Sequence, residues 1–164
     1  MMPADCPNLG YQVQMDLTVA AAGPPLAFSF QPTDPADPNA SHLLNAKGDL
    51  DFSDTTKQVL VIINLKDQTG HGLQFAMNAD YQVMAFAKDY GSGAKTPVDG
   101  KHYQIRRVTL ENGGTTVSFC YRNTKHDDDN PHLRHPRSEY GVYLIDANQK
   151  IWTIDPGVGN GGNN

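Results

Sequence analysis

The chain carries sixteen aspartates and only two glutamates, Glu111 and Glu139, together with 15 Gly, 11 Pro and 12 Asn. Asp and Asn bond to nearby backbone groups and so favour turns and caps, whereas Glu favours helix interiors. A chain with this preference is expected to be built of strands and turns. Its 164 residues are enough for one domain that buries roughly 70% of its unfolded surface, so neither metal nor disulfides are required for stability. Leu, Ile, Val and Phe supply 34 positions, near the level at which disorder becomes a concern. They are clustered, however, and the net charge is only −5, which points to a folded, loop-rich domain.

Period-two alternation then locates the strands. Tyr11, Val13, Met15, Leu17 and Val19 share one face, with Gln12, Gln14, Asp16 and Thr18 on the other, the signature of a half-buried strand in an antiparallel sheet. Leu26, Phe28 and Phe30 repeat the pattern after a Gly-Pro-Pro break. Residues 58–66 are apolar on both faces and predict a central strand covered on both sides. Further strands are expected over residues 73–77, 81–87, 103–110 and 115–122. The last two flank Glu111-Asn112-Gly113-Gly114, the strongest hairpin signal, because Asn-Gly supplies the positive φ of a tight turn. Residues 141–146 and 150–155 predict a second hairpin around Ala147-Asn148-Gln149.

The expected architecture is all-β, an antiparallel β-sandwich of eight or nine strands with immunoglobulin-like or Greek-key connections, in one domain over residues 1–156. At most one short helix is expected, near residues 39–47, capped by Asn39 or Ser41 and stopped by Gly48. The long connection it belongs to serves either a function or the covering of an open sheet edge. Pro156 cannot donate to a ladder, so pairing is expected to end at Asp155. Residues 157–164 then form a Gly/Asn-rich tail outside the sheet, ordered only if another chain contacts it.

Charge and segment patterns exclude several partners. A pI near 5.5 with scattered basic residues offers no stripe for a phosphate backbone, so nucleic acid is not expected. The longest apolar run, residues 59–63, is of strand length, so membrane insertion is not expected either. The first residues lack a basic region followed by an apolar one, which suggests the cytoplasm, or a chain from which targeting segments have been removed. Cys6 and Cys120 are too few for a disulfide scaffold. Cys120, between Phe119 and Tyr121, reads as a small core residue, and its pairing with Cys6 would require oxidising surroundings.

No nucleotide-binding loop, nucleophile elbow or paired-cysteine metal motif occurs; Tyr90-Gly91-Ser92-Gly93 lacks the strand–turn–helix setting of an elbow. The densest chemistry lies in residues 125–137, where His126, Asp127, Asp129, His132 and His135 are candidate ligands of a divalent metal. Pro131 and Pro136 bar a helix there, and a solvated loop competes with that reading. Asp49, Asp51 and Asp54 superficially suit calcium but lack the glycine turn and terminal Glu of an EF-hand loop; acids on a strand edge in water are the alternative. His71 and His102 read as surface residues. Trp152 with Tyr140 or Tyr143 would make a sugar-stacking platform, against which stands core packing by the only Trp. The leading expectation is a non-enzymatic domain that binds a ligand or associates with copies of itself, with no cofactor. A metal-dependent protein and a carbohydrate-binding module are the alternatives.

Overall fold

The computed structural model describes residues 6–23, 25–76, 85–88, 95–97, 105–121, 137–154 and 157–160. These contain twelve strands: β1 (Leu9–Ala21), β2 (Ala27–Pro32), β3 (Leu50–Phe52), β4 (Gln58–Asp67), β5 (Gln74–Phe75), β6 (Ala85–Lys88), β7 (Lys95–Pro97), β8 (Ile105–Glu111), β9 (Thr116–Tyr121), β10 (Arg137–Ile145), β11 (Ile151–Ile154) and β12 (Gly157–Asn160). The fold is thus mostly strand, with helix confined to two 3-10 turns among the described residues, Pro38–His42 and Asn112–Gly114. Several strands, such as β3, β5 and β7, are only two or three residues long. Elements that short carry no readable period, which is why the sequence suggests fewer.

Two sheets result among the described residues. The five-stranded sheet has the order β2-β1-β4-β9-β8; the seven-stranded one has β3-β12-β10-β6-β7, with β5 and β11 also pairing with β10. One apolar cluster joins them. It takes Val13, Met15, Leu17, Val61, Ile63 and Phe119 from the first sheet and Phe52, Tyr140, Val142, Leu144 and Ile154 from the second. The alternation of β1 is realised as expected, with Val13, Met15, Leu17 and Val19 all at or below 2% exposure. β4 is indeed central and covered on both sides. Val59, Val61, Ile63 and Leu65 face the main core, while Leu60 and Ile62 face a second cluster with Cys6 and Cys120.

Three expectations are corrected. The sheets are not purely antiparallel, since β1 runs parallel to β4 and β3 parallel to β12. A parallel neighbour needs a long crossover, and the chain between β2 and β4 supplies one; alternation reports a strand's buried face and nothing about its neighbour's direction. The expected helix is a five-residue 3-10 turn, Pro38–His42, whose N-cap is Asp37, the carboxylate of which accepts from Asn39 N at 2.9 Å. Pro38 suits the first helical position, and extended backbone at Leu43 ends the turn. Pairing also does not end at Asp155. β11 matches Ile151 to Ile145 and Ile154 to Val142, and β12 matches Gly157 to Glu139 and Gly159 to Arg137, the same register along the same edge of β10. Proline removes one donor, yet the residues beyond it still have backbone groups to pair.

Both predicted hairpins form. Glu111 pairs with Thr116 around Asn112, Gly113 and Gly114, whose φ values of 54°, 65° and 94° are all left-handed. Ile145 pairs with Ile151 around a turn in which the Asp146 carboxylate accepts from Asn148 N at 2.8 Å and Lys150 N at 2.9 Å.

The long connection after β2 covers a sheet edge. β2 ends its sheet, and Phe30 N donates to Ala46 O at 2.8 Å, so the returning chain shields backbone that would otherwise invite pairing with another chain. Among the described residues no helix is long and apolar enough to cross a membrane.

Candidate functional site

The clearest convergence of polar side chains lies where this connection meets β1. Tyr11 stands near the start of β1, His42 ends the 3-10 turn, and Asp54 follows β3. The rings of Tyr11 and His42 stack with centroids 4.2 Å apart and planes within 8°. Phe52, fully buried, meets both edge-on at 6.1 and 6.3 Å and forms an apolar floor. The Tyr11 hydroxyl donates to Asp54 Oδ1 at 2.9 Å. His42 Nδ1 lies 2.9 Å from the Asp51 carbonyl, which can only accept, so Nδ1 carries a proton and donates there. That leaves Nε2 facing Asp54 Oδ2 at 3.6 Å. The His42 side chain is 14% exposed and that of Asp54 59%.

The electrostatics follow from this arrangement. Burial, reinforced by the hydrogen bond to Asp54 and by the charges of Asp54 and Asp51, raises the Tyr11 phenol far above its ordinary range, so it remains a proton donor. Asp51 lies below the usual carboxylate range because the Ser53 side chain and backbone N–H donate to it, with a smaller contribution from His42. The group can therefore tie β1, the 3-10 turn and β3 together and present one carboxylate edge to solvent.

A second polar end is formed by the β4–β5 loop against the β10–β11 turn, joined by Ala147 N donating to His71 O at 3.0 Å. Burial would raise Asp67, but Thr69 Oγ1, Leu73 N and Thr69 N donate to it and hold it below the usual range, with His71 adding its charge. Asp146 is lowered by the donors of its turn, Lys150 N foremost, then by Trp152 Nε1, Asn148 N and the charge of His71. His71 itself is exposed, as expected.

The residues singled out from the sequence fare differently. Residues 126–135, with His126, Asp127, Asp129, His132 and His135, lie outside the described residues, as does His102. Among the described residues no three His, Cys, Asp or Glu side chains are grouped as metal ligands. Asp49, Asp51 and Asp54 do not converge on a common centre: their carboxylates accept from Asn45, from Ser53 and from Tyr11. Tyr140 and Tyr143 are 0% and 1% exposed, so they do not join Trp152 in an exposed platform. Trp152 is half-buried against the main core, and Lys150 Nζ sits 3.9 Å above its ring. Cys120 is buried as expected but is not a free thiol: it is bonded to Cys6, with Cα atoms 5.5 Å apart. His42 is the residue that sequence reasoning passed over. Its one signal was its place in the same connection as five aspartates.

Neither a known protein-family model nor a curated protein sequence matches the chain.

Proposed function

We propose that the chain is a non-catalytic β-sandwich domain, its two sheets face to face, that acts by binding a partner. The observation that carries this reading is the direction of the electrostatic shifts among the described residues. Catalytic acids and bases are tuned toward neutrality, whereas here Asp51, Asp67 and Asp146 lie below their ordinary range, held there by donors of their own turns, and Tyr11 lies above its own through burial and its bond to Asp54. Such groups hold turns and connections in place. The Cys6–Cys120 disulfide supports an oxidising compartment over the cytoplasm suggested by the first residues. Residues 157–160 pair within their own sheet and need no second chain to hold them.

The test is the stability of Tyr11→Phe and Asp54→Asn. Side chains kept for chemistry cost a fold stability, and their removal leaves it unchanged or raises it. Structural ones lower it. The expected result is a lower Tm for both variants; an unchanged or higher Tm overturns the reading. Light scattering over roughly a hundredfold range of concentration separates modes of binding, because self-association follows mass action. A constant monomer mass assigns the binding to a different molecule.

A further inference from the structure

We propose that the Cys6–Cys120 disulfide is a redox latch. It straps the segment ahead of β1 across the outer face of the five-stranded sheet, and its opening frees the strap and uncovers Leu60 and Ile62 while the main core stays folded.

The sheet register places the strap. Cys120 on β9 pairs with Leu60 on β4, and Leu60 pairs with Gln12 on β1. β9 is therefore two strands from β1, about 10 Å at ordinary strand spacing. β1 begins at Leu9, so the chain from Cys6 to Asn8 must cross β4 to bring Cys6 onto Cys120. Leu60, at 6% exposure, lies beneath that crossing, and Ile62 packs beside it. Pro7, Asn8 and Leu9 are exposed. Asn8 O accepts from Gln58 N at 3.2 Å, close to the start of β1. The far end is held by the sulphur–sulphur bond and its contact with Leu60.

The consequence of opening is local because the apolar residues form two separate clusters. The small one under the strap holds Cys6, Leu60 and Cys120, and the large one lies on the opposite face of the same sheet. Losing the strap removes the cover of the first and leaves the second intact. Closure converts two thiols into one disulfide with release of two protons and two electrons to an acceptor disulfide, which becomes two thiols. Opening is the reverse exchange. A reducing thiolate attacks the sulphur of Cys6, the more exposed residue of the two at 8% against 1%, and Cys120 departs as the thiolate; a second thiolate of the reductant then displaces Cys6 from the mixed disulfide, leaving two protein thiols and an oxidised reductant.

Alkylation and hydrogen exchange on the whole protein test the latch. Protein produced in an oxidising compartment and denatured without reductant should take up no alkylating label, and after dithiothreitol it should label at both of its cysteines. In the native protein, dithiothreitol should speed amide exchange over residues 7–12 and 58–62 and leave residues 140–145 protected. The Tm should fall by roughly 10 °C, since a cross-link across so long a loop restricts the unfolded chain. Cys6→Ser should reproduce that exchange pattern without reductant. Free thiols in the untreated protein, exchange unaltered by reduction, or loss of protection throughout the molecule would each overturn the proposal, the last by making the bond a staple of the whole fold.

Discussion

The buried hydroxyl of Tyr140 donates to the carbonyl of Gly48 at 2.8 Å, joining β10 to the turn that precedes β3 across 92 positions of sequence. Gly48 lies at φ +92°, and a Cβ there would stand 2.6 Å from Cδ2 of Phe30. One residue thus meets a phenol from one sheet and a phenyl ring from the other. The approach is possible only without a side chain.

Tyr140→Phe keeps the ring and leaves a buried carbonyl without its donor. A loss of about 1–3 kcal/mol is expected, seen as a lower urea midpoint with an unchanged slope. Gly48→Ala should cost more, because left-handed backbone strain of about 1–2 kcal/mol adds to the clash with Phe30. With Gly48→Ala already present, Tyr140→Phe should cost less than it does alone, since both disturb one contact. Strict additivity would mean that the two residues do not act through each other.

Truncation after Pro156 removes β12, which pairs with β10 on one side and β3 on the other. The Tm should fall by several degrees, and amide exchange should rise over residues 50–52 and 137–139. An unchanged Tm would show that these pairings add nothing to stability.

Acid should weaken the fold through Asp67, Asp146 and Asp51, all held below the usual carboxylate range. A carboxyl lowered on folding contributes stability that is complete above its unfolded pKa, about 4, and is lost as the pH falls through its lower folded value. Urea midpoints should therefore be flat near neutrality and decline below about pH 4. Asp67→Asn and Asp146→Asn should each be less stable at pH 7 and show a shallower acid decline. A decline parallel to that of the parent protein would contradict the assignment.

The candidate site was far less legible than the strands around it. Val13, Met15, Leu17 and Val19 announce their buried face by alternation, and Leu60 and Ile62, apolar where a wet face was due, announce that something covers β4. Tyr11 looks in sequence like one more core position of β1. Its hydroxyl finds Asp54 and its ring stacks on His42 only because the connection after β2 folds back over the start of the strand.

The sequence by itself determined what is local: strand-forming segments, the face each one buries, and the turns at Asn112-Gly113-Gly114 and Ala147-Asn148-Gln149. Side-chain periodicity and backbone preference act within a few residues, so they can be read without knowing what lies alongside. Tertiary structure alone decided which strands are neighbours and in which direction they run. β1 beside β4 in parallel, β12 beside β10 past a proline, and Cys6 upon Cys120 are of this kind. The physical reason is that strand pairing uses backbone groups present at nearly every residue, glycine included. Choice of partner is then set by how two sheets close over one core, and no single segment records it.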